Sequence, residues 1–95
     1  MIRFKLSNEA KMDLARIYWR GVKEFGEFQA DRYYKALIQR FGDIAEAPYK
    51  YQAVDHIRDH YRRSVCGVDS IYYRVSADAI EVMRVLGRQD AAERL

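Results

Sequence analysis

Two arginines lie within strand-like runs near the end of the sequence, where a guanidinium group is costly to bury. Residues 72–90, YYRVSADAIEVMRVLGRQD, contain two apolar runs that meet at a tight turn and carry Arg74 and Arg84. A guanidinium in a core strand requires an acidic partner or a functional surface. The sequence predicts that Arg74 pairs with a nearby carboxylate, such as that of Glu81 or Asp69. It leaves open whether Arg84 is structural or binds a phosphate or a protein.

The positively charged residues change type along the chain. Every lysine lies within residues 1–50, whereas the charged basic residues after His56 are all arginines: Arg58, Arg62, Arg63, Arg74, Arg84, Arg88 and Arg94. Arginine is favoured where a planar fork binds a carboxylate or a phosphate. The second half therefore either presents such a surface or pairs its arginines with its own acids, and the sequence leaves both readings open.

Residues that could bind a metal or act as a nucleophile are few. His56 and His60 stand four apart, a spacing that suits a metal site on a helix, but no cysteine or third histidine is near them in sequence. Two exposed loop histidines are therefore favoured, and we expect no metal and no cofactor. The single cysteine, Cys66, lies in a strand-like run and is predicted to pack as a small hydrophobic residue.

Cleavage of RNA through its own 2′-hydroxyl would require an acid, a base and cations at the phosphate. Arginines such as Arg58, Arg62 or Arg63, and Arg84 could supply the charge. Candidate acids and bases are confined to one loop, and the sequence does not fix their geometry: Tyr49, Lys50, Tyr51, His56 and His60. We therefore predict no catalytic residues.

Length and composition indicate one globular domain spanning residues 1–95. Of its 95 residues, 49% are hydrophobic and 33% are charged, and the net charge is only +3. This balance argues against disorder and permits, without requiring, an acidic partner. The sequence contains no signal peptide and no apolar run of membrane length, so we expect a cytoplasmic protein with no membrane contact.

The spacing of apolar residues predicts a strand at 2–6 and then two helices. Ser7 is the predicted N-cap of the first helix, Gly26 its C-cap, and Pro48 stops a second helix that begins near Glu27. The turn at Gly26 is so short that the helices must form an antiparallel hairpin. The predicted core stripes are Ala10, Leu14, Ile17, Tyr18, Gly21 and Phe25, then Ala30, Tyr33, Tyr34, Leu37, Phe41, Ile44 and Ala45.

Three further strands are predicted at about 61–66, 68–76 and 79–87, connected as an antiparallel meander. Residues 48–60 read as a loop with room for one short turn or strand. In the last strand the alternation predicts one face of Ile80, Val82 and Leu86 and another of Met83 and Val85. The expected fold is α+β, with the helix hairpin on one side of one small twisted sheet of four strands.

Trp19 follows Tyr18 on the first predicted helix, so the two side chains diverge by about 100°. If Tyr18 lies on the core stripe, Trp19 lies at its margin or in solvent. An exposed tryptophan is a frequent anchor of protein interfaces. Partial burial under the helix pair and exposure as an anchor both remain open.

Four stretches in order resemble a known family over essentially the whole chain. LSNEAKMDLARIYWRGVKEFGEFQADRYYKAL, IAEAPY, IRDHYRRSVCGVDSIYYRV and IEVMRVLGRQD are similar to ParE-type toxins of the RelE/ParE superfamily. The resemblance implies the fold described above and a toxin of a type II toxin–antitoxin system. It further implies an antitoxin of the ParD class, which wraps the toxin and supplies the only contact with DNA, and poisoning of DNA gyrase. RelE-type relatives instead cut mRNA on the ribosome, and this is the alternative function.

Two departures from the family pattern bear on that alternative. ParE-type toxins often carry Gly-Ser-His where this chain has Gly67-Val68-Asp69, and many carry a histidine where it has Gly87. Because both differences remove groups that transfer protons, they favour binding to a protein over cleavage of RNA. From the resemblance we predict a partner-binding surface made by Arg58, Arg62, Arg63, Arg84, Arg88 and Trp19, in which the arginines pair with an acidic antitoxin segment.

Overall fold

The computed structural model describes residues 3–87 and 95, and it places a helix hairpin on one face of a five-stranded sheet. The elements are β1 (Arg3–Leu6), α1 (Asn8–Phe25), α2 (Glu27–Glu46), β2 (Gln52–Ala53), β3 (Arg62–Cys66), β4 (Asp69–Val75) and β5 (Ala79–Gly87). The strand order is β1-β5-β4-β3-β2. β1 runs parallel to β5, and the other neighbours are antiparallel. The predicted α+β class, with an N-terminal strand, a helix hairpin and a meander, is confirmed.

The ends of the hairpin follow the predicted caps. The Oγ of Ser7 accepts a hydrogen bond from the N–H of Ala10 at 2.9 Å, which satisfies a donor of the first turn of α1. Gly26 has φ of +89°, in the left-handed half of the map where glycine is favoured, and it joins the two helices directly. α2 ends at Glu46, shortly before Pro48.

The main core lies between the hairpin and the sheet. Its fully buried members from the helices include Ala10, Leu37, Phe41 and Ile44. Two residues assigned to the core stripes are exposed instead: Phe25 is 71% exposed and Tyr34 is 38% exposed. Phe25 is the last residue of α1 and borders an open groove at the hairpin turn, so its ring is left uncovered.

A β-bulge changes which residues of β5 face the helices. Tyr72 pairs with Arg84 but Tyr73 pairs with Val82, so the register shifts by one residue at Met83. One extra residue reverses the alternation of the strand beyond it. The predicted faces of β5 are therefore right before the bulge and wrong beyond it. Ile80, Val82 and Val85 pack in the main core, whereas Met83 and Leu86 pack in a second cluster.

This second cluster contains Val54, Tyr61, Tyr72 and Leu86, with Leu95 packed against it. Because Tyr72 alternates with two neighbours that belong to the main core, the cluster occupies the opposite face of the sheet. The loop at 48–60 supplies part of its cover and also forms β2, which is the fifth strand that the sequence allowed but did not require. No helix in the described part of the chain is long and apolar enough to cross a membrane.

Candidate protein-binding site

Arg84 forms a two-pronged ion pair with Asp13 of α1. Its Nε lies 2.8 Å from Oδ2 of Asp13, and its Nη2 lies 2.9 Å from Oδ1. Glu9 adds a second carboxylate at 3.4 Å from Nη1. Asp13 is buried, and hydrogen bonding to it raises the pKa of the Arg84 guanidinium above its ordinary value. The Arg84 guanidinium, which the sequence left open for a partner, therefore already binds carboxylates of the same chain.

The same carboxylate completes the edge of the sheet. β1 pairs with only the first part of β5, so the backbone beyond it needs other partners. The N–H of Val85 donates to Oδ2 of Asp13 at 3.0 Å, and the C=O of Val85 accepts from Arg16 at 3.1 Å. Ser7 Oγ donates to the C=O of Met83 at 2.8 Å. Side chains of α1 therefore close the edge that β1 leaves open.

Sequence reasoning missed Asp13, although a signal was present. Asp13 follows Ala10 by three positions and precedes Ile17 by four, so it lies on the apolar stripe of α1. An acid on a buried helical face requires a cation or donors near it. The sequence could have paired this acid with an arginine in a core strand, but it could not have shown which of the two strand arginines reaches it.

Arg62 and Arg63 lie in β3, next to β2 at the other edge of the sheet. Nη1 of Arg62 donates to the C=O of Tyr51 at 2.7 Å, and its guanidinium lies 5.0 Å from the centre of the Tyr49 ring. Arg63 donates to the side-chain carbonyl of Gln52 at 3.2 Å. Both side chains are partly exposed and both have partners within the chain.

Arg58 donates from Nη1 to the C=O of Leu95 at 2.6 Å and lies over the ring of Tyr61 at 5.5 Å. It is exposed and belongs to the same edge as Arg62 and Arg63, through the loop that covers the second cluster. Arg84 is separated from them, because its guanidinium is turned toward α1. Arg88 lies outside the described residues.

Arg74 has the structural role predicted for it. Its Nε lies 3.2 Å from Oε1 of Glu81, directly opposite in the register of β4 and β5. The alternative acid, Asp69, is 1% exposed and accepts a hydrogen bond from the hydroxyl of Tyr33 at 2.8 Å. Arg74 therefore pairs with Glu81, one of the two carboxylates that the sequence predicted for it.

Trp19 lies on the outer surface of the hairpin and is 66% exposed, so partial burial under the helix pair was wrong and exposure is confirmed. Its ring meets that of Tyr18 edge to face at 5.2 Å, and Tyr18 meets Tyr34 in the same way at 5.9 Å. The hydroxyl of Tyr18 donates to Asp31 at 2.7 Å, which raises the pKa of the phenol. These rings border a groove of about 460 Å³, to which Lys11 also contributes.

Other large apolar side chains of the hairpin are also exposed. Met12, Phe25 and Phe28 are each 71% exposed. Aromatic and methionine side chains are enriched at protein interfaces. We call Met12, Trp19 and Phe28 the hairpin surface, whereas Phe25 belongs to the groove at the hairpin turn that it borders.

The candidate acids and bases for RNA cleavage are partly brought together. Tyr49, Asp55, His60 and Arg62 line a hollow of about 280 Å³ beside β2. His60 has φ of +67° and its backbone N–H donates to Oδ1 of Asp55 at 2.9 Å. His56 is exposed in the same loop.

Cys66 lies in the main core as predicted. The residue is buried, and burial raises the pKa of its thiol. Because the thiolate is the reactive form, this environment disfavours nucleophilic chemistry.

Both the sequence and the fold are similar to those of known proteins. A family model described as "ParE toxin of type II toxin-antitoxin system, parDE" matches residues 4–92. The chain is 35% identical over 83 residues to Toxin ParE1 of Caulobacter vibrioides, covering 87% of this chain and 85% of that protein. It is 31% identical over 93 residues to Toxin ParE1 of Mycobacterium tuberculosis, covering 97% and 95%.

Among solved structures, the fold is similar to a chain of the chromosomal ParDE TA system from P. aeruginosa. The TM-score is 0.80, with 92% of this chain and 96% of that chain covered. The sequences are only 18% identical, so this likeness shows the shared fold.

Proposed function

The chain belongs to the ParE toxin family of type II toxin–antitoxin systems, and from that membership we propose that it inhibits growth by binding a cellular protein, with DNA gyrase as the leading target. A ParD-like antitoxin holds it inactive until released. The proposed action is binding rather than catalysis, and it requires no cofactor.

The observation that carries this proposal is the hairpin surface. Trp19 is 66% exposed and Phe28 is 71% exposed. Aromatic side chains supply much of the binding energy at protein interfaces when they enter a partner's pocket. A protein that has to be covered by one partner and released to reach another needs such a surface.

The arginines contribute to the same proposal in a different way. Arg58, Arg62 and Arg63 keep exposed atoms at the β2–β3 edge while their forks are partly used within the chain. We propose that acidic residues of the antitoxin reach these three side chains and Arg88, whereas the fork of Arg84 is used within the chain by Asp13. Removing one side of a fully desolvated pair typically costs about 2–5 kcal/mol of binding free energy.

Induction in cells, with and without the gene for the antitoxin, tests the proposal. Toxin alone should arrest growth with filamentation and DNA-damage signalling, and co-expression should restore growth. Trp19→Ala should weaken the complex without changing the free energy of unfolding. Lys35→Ala is the control, since Lys35 is exposed on α2 but belongs neither to the hairpin surface nor to the edge that carries Arg62 and Arg63. Equal loss of binding in both variants, or none in either, would refute the role of the hairpin surface.

One observation favours a second function. The hollow beside β2 places Tyr49, His60 and Arg62 together, which supplies a cation and two groups that can transfer protons. If the protein is instead an endoribonuclease of the RelE type, induction should stop translation at once with cleaved mRNA on the ribosome. His60→Ala should then abolish cleavage while leaving antitoxin binding unchanged.

A further inference from the structure

A second groove lies under the end of the helix hairpin and shares Tyr18 and Tyr34 with the groove beside Trp19. It has a volume of about 310 Å³ and opens between the hairpin and the turn that joins β3 to β4. Its walls are mainly apolar and include Ile17, Phe25, Ala30, Tyr33 and Val68. This volume lies at the lower end of the range for ligand sites, about 300–1,000 Å³, and it has room for one bulky side chain.

The groove is held open by rigid parts of the fold. The hydroxyl of Tyr33 lies 2.9 Å from the C=O of Cys66 and 2.8 Å from Oδ2 of Asp69, so the ring is fixed beside the turn. Gly67 has φ of +62°, and a Cβ at this position would lie 2.5 Å from the Tyr33 ring. Because this wall cannot collapse inward, a partner finds the groove already formed, which lowers the entropic cost of binding.

One charged side chain stands at the groove among the described residues that line it, and this is Arg20. Its acid neighbour Asp69 lies 3.9 Å from Nη2, is 1% exposed and is already hydrogen-bonded to Tyr33. The Arg20 side chain remains 45% exposed. A partner that covered this guanidinium without an acid would strip its water and leave it poorly compensated. Because Asp69 is shared with Tyr33, an occupant that brings a carboxylate to Arg20 is favoured over a neutral one.

We propose that this groove binds a bulky apolar side chain next to an acidic residue in the antitoxin. The apolar side chain enters between Phe25 and Val68, and the carboxylate pairs with Arg20. This inference rests on the proposed function, because it names the part of the toxin that the antitoxin must fill. A second copy of the chain is the competing occupant, and the experiment distinguishes the two.

Two blocked peptides test the chemistry of the groove on the full chain. Acetyl-Glu-Phe-Glu-amide should shift the backbone NMR signals of Gly21, Gly67 and Val68, and the neutral acetyl-Gln-Phe-Gln-amide should bind at least about fivefold more weakly. Arg20→Gln should remove that difference. Lys23→Gln is the matched control, because Lys23 is an exposed cation on the same helix that does not line the groove. Equal binding of both peptides, or shifts located elsewhere, would overturn the inference.

Titration with the antitoxin tests the occupant. Arg20→Gln and Phe25→Ser should each weaken the complex by at least about tenfold, whereas Lys23→Gln should not. Circular dichroism before each titration confirms that the variants are folded, which matters for Arg20→Gln because Arg20 also lies 3.9 Å from the buried Asp69. If the antitoxin binds the wild type and both variants with the same affinity, this inference alone is refuted. Absence of any wild-type complex would refute the proposed function. Self-association that is lost in Phe25→Ser, with antitoxin affinity intact, would assign the groove to a second copy.

Discussion

Replacing Asp13 with alanine should destabilise the protein by about 3 kcal/mol, because one carboxylate supports both a buried arginine and a sheet edge. The Arg84 side chain is only 15% exposed and would lose both of its short contacts with Asp13. Breaking a buried pair costs about 3–5 kcal/mol, but Glu9 remains 3.4 Å away in solvent, so we assign about 2 kcal/mol here. The N–H of Val85 also loses its acceptor, which adds at least about 1 kcal/mol.

Urea unfolding followed by circular dichroism at pH 7 measures this loss. The midpoint should fall while the slope of the transition stays constant. Asp59→Ala is the control, since Asp59 is exposed, and it should change the free energy of unfolding by less than about 0.5 kcal/mol. Combining Asp13→Ala with Arg84→Met should recover about 2 kcal/mol relative to additivity. A loss below about 0.5 kcal/mol for Asp13→Ala, or additive effects in the double variant, would refute the reasoning.

The remaining predictions concern the turn, one buried phenol and an exposed ion pair. Gly67→Ala should destabilise the protein by about 1–3 kcal/mol, because φ at this position is positive and the new methyl would meet Tyr33. Gly42→Ala has open space around the new methyl and should stabilise α2 by about 0.5–1 kcal/mol. Thermal unfolding of the two glycine variants checks both signs. Equal shifts of their melting temperatures would contradict the prediction for Gly67→Ala. Burial raises the pKa of Tyr73 to about 12, so its stabilising contribution is present below about pH 10 and is lost as the pH rises toward 12. Urea midpoints between pH 9 and 12 should therefore fall more steeply in the wild type than in Tyr73→Phe, and identical profiles would rule this out. Arg74→Ala should leave the urea midpoint close to that of the wild type, because the ion pair is exposed. A fall in the midpoint as large as that of Asp13→Ala would contradict this.

Local signals in the sequence were sufficient to place the helices and most strands. Ser7, Gly26 and Pro48 act on the chain within a few residues of themselves, so the helix ends could be predicted without a tertiary structure. The strands of the meander were predictable for the same reason, since their turns are short. β2 is only two residues long and is held in the sheet by its pairing with β3. Two residues show too little alternation for the sequence to require a strand there.

The candidate site depended on information that is not local. Asp13 and Arg84 are 71 positions apart, and only the packing of α1 against β5 brings them together. The bulge at Met83 depends on how β4 and β5 pair, so the faces of β5 could not be read from alternation alone. The exposure of Trp19 likewise depends on how α1 is rotated about its axis on the sheet. The position of Trp19 next to Tyr18 in the sequence does not determine that rotation.

The most direct measurement of the central claim is a paired assay on purified protein freed from its antitoxin. Incubation with DNA gyrase and plasmid should block supercoiling or accumulate cleaved DNA, and the same protein should leave mRNA on programmed ribosomes intact. Added antitoxin should reverse the effect on gyrase. Intact gyrase activity together with cut message, lost in His60→Ala, would contradict the account and assign the protein to the nuclease class.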